Sequence, residues 1–359
     1  SIPRPEAPSL DSLTYELEAI PSLKLLPTEA FSGAWLDHPL EGLAGRVPGL
    51  WTSRPGSDPL ETPELRWRGQ PTFFQRANPL LLVDGLPLAD PGLLHPADVA
   101  QAAVVEDPVG LTLFGEAGGA GVVLLETLPF EGAGALRYAG TLLLEAPAGR
   151  VPVLTPEEFL AIGGQDYGAR SDWQEAVTRR SLSQDHHLSF GGGGELPWRL
   201  SLHHRRREGV LRGSDMRQSG ARFRLARAVF DERLRIQTRL ALTTRTAHPS
   251  FPEAFRYAVS MPPTAPLHDP DPNPFGGWFQ VPYFDVFNPV ALLEQNQRER
   301  RRNHLSGGLQ LEWNPLDFLR LTLRHASAVE DRKEALFHPS TDAYRGRNLG
   351  GLARQDHRR

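Results

Sequence analysis

The sequence predicts a small α/β domain followed by antiparallel β-strands of an incomplete β-barrel. Three observations predict it. Compact apolar runs punctuated by Gly and Pro occupy the chain to about residue 130. A period-two alternation of apolar and polar residues begins after about residue 133. The connections between the alternating stretches are short and long in turn.

Residues 1 to about 30 are Pro-rich and weakly patterned, a linker or the start of the first domain. From 31 to 130, runs such as Pro79-Leu80-Leu81-Leu82-Val83-Asp84-Gly85 and Gly121-Val122-Val123-Leu124-Leu125 read as buried strands, being short and bounded by turn formers. Pro96 to Val105 reads as a short helix leading into a further strand.

Residues 131–359 have a different texture. In Leu234 to Thr243, the apolar Leu234, Ile236, Leu240 and Leu242 alternate with Arg235, Gln237 and Arg239. Leu305, Leu309, Leu311 and Trp313 alternate with Ser306, Gln310 and Glu312, and Leu319, Leu321 and Leu323 with Arg320, Thr322 and Arg324. Period two puts one set on each face of a sheet. The alternation alone fits a soluble antiparallel sheet with one solvated face equally well. The connections favour the barrel: short links (191–197, 231–233, 314–317) alternate with long ones (about 147–184 and 246–302), as in outer-membrane barrels.

Composition narrows the classes. No run of about 18 apolar residues occurs, so a helical membrane span is not expected, which leaves a β-barrel open. Cysteine is absent, ruling out disulfides, thiolate metal sites and cysteine nucleophiles. The formal charge of −4 carries no global bias toward nucleic acid. The chain opens on Ser1-Ile2-Pro3-Arg4, with neither a starting Met nor an apolar leader, and is expected to be part of something longer.

Leu65-Arg66-Trp67-Arg68-Gly69, followed by Pro79-Leu80-Leu81-Leu82-Val83-Asp84-Gly85-Leu86-Pro87-Leu88, resembles the plug of SusC/RagA-type TonB-dependent outer-membrane transporters. That family carries Ile-Arg-Ile-Arg-Gly and then a Pro-Leu-hydrophobic-Val-Val-Asp-Gly-Val-Pro run at similar spacing. Leu40 to Leu50, Leu94 to Val99, Val104 to Pro108, Phe114-Gly115 and Gly121 to Leu125 resemble further plug segments in the same order. Beyond them, Ser171-Asp172-Trp173-Gln174, Arg222 to Leu225 and Asn288 to Leu293 resemble barrel and outer-loop elements. There are departures: Glu106 replaces the usual Lys, and Glu116-Ala117 and Gly119-Ala120 replace Ser-Arg and Ala-Asn.

The resemblance implies an α/β plug at 31–130 and, at 131–359, the first seven or eight strands of the barrel, about a third of the roughly 22 strands of a plugged transporter. It implies import of nutrients such as oligosaccharides or peptides, energy coupling through TonB, a SusD-like surface lipoprotein as partner, and contact with outer-membrane lipid. Neither a cofactor nor an enzyme is implied. The rival classes are a β-rich surface binding module that does not transport, and a non-functional remnant.

Arg66 and Arg68 flank Trp67 on one strand face and precede Gly69; the resemblance offers them as plug–barrel contacts with acidic wall residues, against an ordinary polar strand face. Asp84-Gly85 reads as a turn, with Gly85 free to take positive φ. Glu106 and Asp107 are set to meet basic wall residues or solvent. Adjacent histidines on a strand face opposite ways, so at most one each of His186-His187 and His203-His204 can converge, and no metal site is expected. The basic runs Arg205 to Arg207 and Arg298 to Arg302 read as solvated loop charge or as partners of lipid phosphates, and 354–359 as the middle of a loop. Asp269 to Asn273 lacks the EF-hand pattern, Gly191 to Gly194 is no phosphate loop, and no Gly-x-Ser-x-Gly elbow occurs.

Overall fold

A computed structural model describes residues 24–31, 35–53, 63–67, 79–88, 90–105, 114, 119–129 and 134–358. The N-terminal part contains β1 (Lys24–Pro27), β2 (Leu50–Ser53), β3 (Glu64–Trp67), β4 (Leu80–Val83), β5 (Leu86–Pro87), β6 (Val99–Val105) and β7 (Val122–Thr127). Five of these form a mixed sheet in the order β1-β6-β7-β4-β5, with β4 and β7 parallel, while β2 and β3 pair separately. The apolar runs supply its core: Leu26, Phe31, Leu40, Leu43, Leu94, Val99, Val104, Val123 and Leu125 form one buried cluster. Each such side chain contributes ~1.5–3 kcal/mol relative to exposure. Between β4 and β5 the chain reverses at Asp84-Gly85 with φ of 50° and 82°, the left-handed region that glycine enters at no cost. Before β6, Pro96 to Asp98 make a single 3-10 turn.

The second part is one antiparallel meander of eight strands: β8 (Leu136–Glu145), β9 (Ser181–Gly192), β10 (Trp198–Glu208), β11 (Asp215–Val229), β12 (Leu234–His248), β13 (Gln297–Leu316), β14 (Leu319–His338) and β15 (Leu352–Arg358). The sheet is open, with β8 and β15 at its edges.

Its two faces are inverted relative to a soluble sheet. Leu240, Leu242, Leu305, Leu309 and Trp313 are exposed, whereas Arg199, His203, Arg205, Gln218, Gln237 and Thr243 are buried. The polar face turns toward the N-terminal domain and the greasy face outward. A solvated sheet does the reverse, so the alternative that the alternation left open fails on the direction of its faces.

Connections alternate by end. β9–β10, β11–β12 and β13–β14 are joined by the short links 193–197, 230–233 and 317–318. Phe230 and Phe318 stand exposed in two of these links. At the other end run 146–180 and 249–296. The first holds α1 (Pro156–Ala161) and α2 (Trp173–Val177), the second α3 (Glu253–Ala258) and α4 (Pro289–Gln295). The two long connections share a core: Trp173 and Val177 pack with Ala258, Met261, Ala265, Val281 and Val290. Trp173 Nε1 donates to the Pro262 carbonyl at 2.9 Å. Asn288 caps α4 and donates to the carbonyls of Leu267 and Phe279, at 2.8 and 3.0 Å.

Three expectations are corrected. Arg205 to Arg207 lie within β10, with Arg205 and Arg207 buried rather than solvated. Arg298 to Arg302 lie within β13, where Arg298 and Arg300 pair with Glu334 of β14 at 2.8 and 3.0 Å. Residues 354–358 belong to β15. β13 and β14 are 20 residues each, about twice what a bilayer crossing takes, so their ends pair as backbone beyond any apolar band and lose the alternation.

Candidate functional site

The inner face of β9–β13 is a row of cations and histidines, because every second residue faces the N-terminal domain. On β10 these positions are Arg199, Ser201, His203, Arg205 and Arg207, all buried. Opposite them the N-terminal domain presents carboxylates held by turns and strand ends.

Asp84 receives Arg224 at 2.7 Å and the N–H and hydroxyl of Thr127 at 2.9 and 2.8 Å. Arg224 also donates to the Thr127 carbonyl, and Arg239 to the Asp84 carbonyl at 3.3 Å. Asp90 meets Arg245 at 2.9 Å and Arg302, and accepts the Gly92 N–H at 3.0 Å. A Cβ on Gly92 would lie 2.7 Å from Arg245 Nη2, so a side chain here would push the guanidinium aside. Asp98 accepts His187 Nε2 at 2.9 Å, with Arg222 Nε at 3.7 Å. Asp37 binds Arg207 at 2.8 Å, and Arg205 and Arg207 lie over the Trp35 ring.

His95 crosses to the wall. Its Nδ1 accepts the Ala97 N–H at 3.1 Å, which leaves Nε2–H to donate to Asp185 at 2.8 Å, the neutral tautomer. Its ring sits 5.0 Å from both His187 and His203, cross-strand partners on β9 and β10. The ring nitrogens are turned to separate partners, and among the described residues no group of three or more such ligands is arranged for a metal ion.

Burial opposes ionisation of Asp84, Asp90 and Asp98, yet the facing groups prevail: Arg224 and Arg239, Arg245, and His187 respectively hold each carboxyl below the ordinary range. Burial pushes His95 below its ordinary value despite its bond to Asp185.

The contact is therefore largely ionic, with carboxylates of the domain against bases of the wall and one pair in the opposite sense, His95 against Asp185. The apolar cluster of the domain draws on residues 26–125 alone, with no side chain of β8–β15. Two bodies with separate cores and a charged seam are built to be distinguishable units.

Of the residues singled out in sequence, Asp84 and Gly85 sit at this seam. Arg66 pairs with Glu64 on its own strand at 2.9 Å and lies over Trp51. Arg68, Gly69, Glu106 and Asp107 lie outside the described residues. Asp37, Asp90 and Arg245 carried no local signal; His95, Asp98, Arg222 and Arg224 lay in segments that carry the resemblance, and Arg207 and Arg302 in basic runs, none of them marked as a seam partner. Period two marks which strand positions share a face, but not which face is inward.

No family model matches the chain. It is 25% identical over 325 residues to the TonB-dependent receptor SusC of Bacteroides thetaiotaomicron, covering 79% of this chain and 32% of that protein. It is 22% identical to the TonB-dependent receptor P3 of Formosa agariphila, covering 89% of this chain and 33% of that one. In fold it matches the RagAB peptide importer in its open-open state, with TM-score 0.75, 15% identity, and coverage of 89% of this chain and 41% of that one. The chain resembles the SusC/RagA type of TonB-dependent receptor, in sequence and in fold. It spans about a third of the length of these two relatives. The SusC/RagA likeness and the outward greasy face place it in the outer membrane; none of its described helices is long and apolar enough to cross a membrane.

Proposed function

We propose that this chain forms the plug and part of the barrel wall of a TonB-dependent outer-membrane transporter that imports nutrients. In this reading the N-terminal α/β domain, residues 31–130, is the plug, and 131–359 is the barrel portion. The plug gates the lumen, a SusD-like lipoprotein covers the long-loop end, and TonB supplies the energy. Oligosaccharides and peptides are the cargo classes; the peptide importer among its structural neighbours supports the second.

One observation carries the reading: a domain with its own core is held against the polar inner face of the sheet by carboxylate–arginine pairs. Such a seam resists casual opening, because breaking a buried pair leaves an uncompensated charge. It also re-forms whenever the charges meet again, which suits a part that is pulled and returned.

The absence of cysteine makes the test clean. Cysteines at Leu93 and Thr243, where the Thr243 hydroxyl donates to the Leu93 carbonyl at 3.2 Å, would tie the domain to β12. Uptake of oligosaccharides or peptides by cells carrying the pair is expected to stop under oxidation and return on reduction. Cells that take up the same nutrients at the same rate with the bridge closed, or with the gene deleted, would instead indicate a non-transporting binding module or a remnant.

A further inference from the structure

Past the apolar band, the outward face of the sheet carries a row of cations. Register aligns Arg206 of β10 with Arg217 of β11, Arg217 with Thr246 of β12, and Thr246 with Arg301 of β13. Arg301 then aligns with Lys333 of β14, and Lys333 with His357 of β15. The four fixed cations are exposed, whereas their strand neighbours Arg205, Arg207, Met216 and Gln218 are buried on the inner face. Alternation splits the run 298–302 in the same way: Arg298, Arg300 and Arg302 turn inward to Glu334 and Asp90, and Arg301 turns outward.

The row has a defined place on every strand. The apolar band ends at Leu202, Ala221, Leu242, Leu305 and Val329, themselves register partners in turn. Arg206, Arg217, Thr246, Arg301 and Lys333 each stand four residues beyond, at the long-loop end. Four residues make roughly 14 Å of strand, or about 10 Å of height at a tilt near 45°. The long Arg and Lys stems reach back from there into a headgroup layer about 5–7 Å deep.

Acids are near, and their placement matters. Glu208, Asp215 and Glu299 lie two residues farther from the band than the cations of their strands. Arg206 and Arg301 each touch one of these acids through a single nitrogen, at 2.7 and 3.2 Å. Such exposed pairs contribute little, and a guanidinium keeps further N–H groups to donate. Asp215 is taken by His248, and Asp331, nearer the band, by His357. Arg217 and Lys333 form no salt bridge among the described residues.

We propose that this row binds the phosphate groups of a lipid in the leaflet at the long-loop end. The acyl chains lie along the greasy face below, and the phosphates meet Arg217 and Lys333 first, with Arg206 and Arg301 beside them. The site depends on the outward face meeting lipid and not on whether the chain transports.

The experiment is native mass spectrometry of the full protein, extracted from outer membranes in detergent and titrated with lipid A, dephosphorylated lipid A or inorganic phosphate. Lipid A is expected to bind at least about tenfold more tightly than its dephosphorylated form. Arg217→Gln or Lys333→Gln alone should weaken it about fivefold, and the two together about thirtyfold. Arg227→Gln, exposed on the same face of β11 at the short-link end, should leave it unchanged. These side chains are on the surface, so the variants should fold. The unaltered protein gives a second measure: raising salt from about 0.1 to 1 M should weaken lipid A severalfold. Equal binding of the dephosphorylated lipid, unchanged affinity in the double variant, or indifference to salt overturns the site. Inorganic phosphate displacing lipid A at equal concentration overturns it in favour of a free-ion site.

Discussion

Two places in this molecule hold distant segments together, and they use opposite chemistry. At the long-loop end, 146–180 and 249–296 are joined by an apolar core around Trp173, Met261, Val281 and Val290. At the inner face of the sheet, the N-terminal domain is joined to the wall by Asp84, Asp90, Asp98 and Asp37 against arginines and a histidine. Apolar packing is non-directional, and its free energy scales with buried area. A buried ion pair returns little net free energy but penalises mispairing heavily, so it specifies a position without cementing it. The loop core reads as permanent and the seam as reversible.

The sharpest way to break that comparison is at Trp173, 3% exposed in the loop core. Trp173→Ala is expected to cost about 3–5 kcal/mol through the cavity it leaves. It should open both long loops to protease, leave the domain seated, and show little dependence on salt. Proteolysis mapped by mass spectrometry would check it, and cleavage in the N-terminal domain before the loops would count against the division.

Next in size is Asp90, which faces Arg245 and Arg302 at once. Asp90→Asn is expected to cost about 1.5–3 kcal/mol of docking, the range for hydrogen bonds to charged groups. The signature is faster hydrogen exchange on the inner face of β12 and β13 with the strands' own unfolding unmoved.

Acid sharpens the contrast further. Asp84, Asp90 and Asp98 are held below their unfolded values, so their contribution is present above the ordinary carboxylate range near pH ~4 and is lost as pH falls through the lowered values. His95 is also depressed, so its contribution is full above ~6.5 and begins to fall below that. Both act in one direction: docking weakens on acidification. Exchange measured from pH 7 down to 3 should show the seam opening before the loop core, and His95→Gln should remove the part that begins below ~6.5.

The smallest effect is expected at Arg66, whose side chain is 41% exposed beside Glu64. Arg66→Ala should change stability by less than about 1 kcal/mol, as exposed pairs do. A docking loss as large as that of Asp90→Asn would place a wall contact at Arg66 and redraw the seam.

Much of the fold was legible in the chain because its signals are local. Alternation located β12 and much of β13 and β14, short apolar runs located β4 and β7, and Asp84-Gly85 announced its turn. The ordered motifs pointed to the SusC/RagA type before any coordinates. The polar ends of β13 and the whole of β15 were not legible, since a strand held by its neighbour's backbone needs no pattern of its own. Nor were the partners of the acids. Arg224 and Asp84 are 140 residues apart, and Arg302 and Asp90 are 212 apart. The sequence by itself determined which residues share a face and where the chain turns, because both follow from backbone geometry over a few residues. Only the tertiary structure decided that the polar face looks inward and which acid meets which arginine, because those choices depend on which body fills the space beside the sheet.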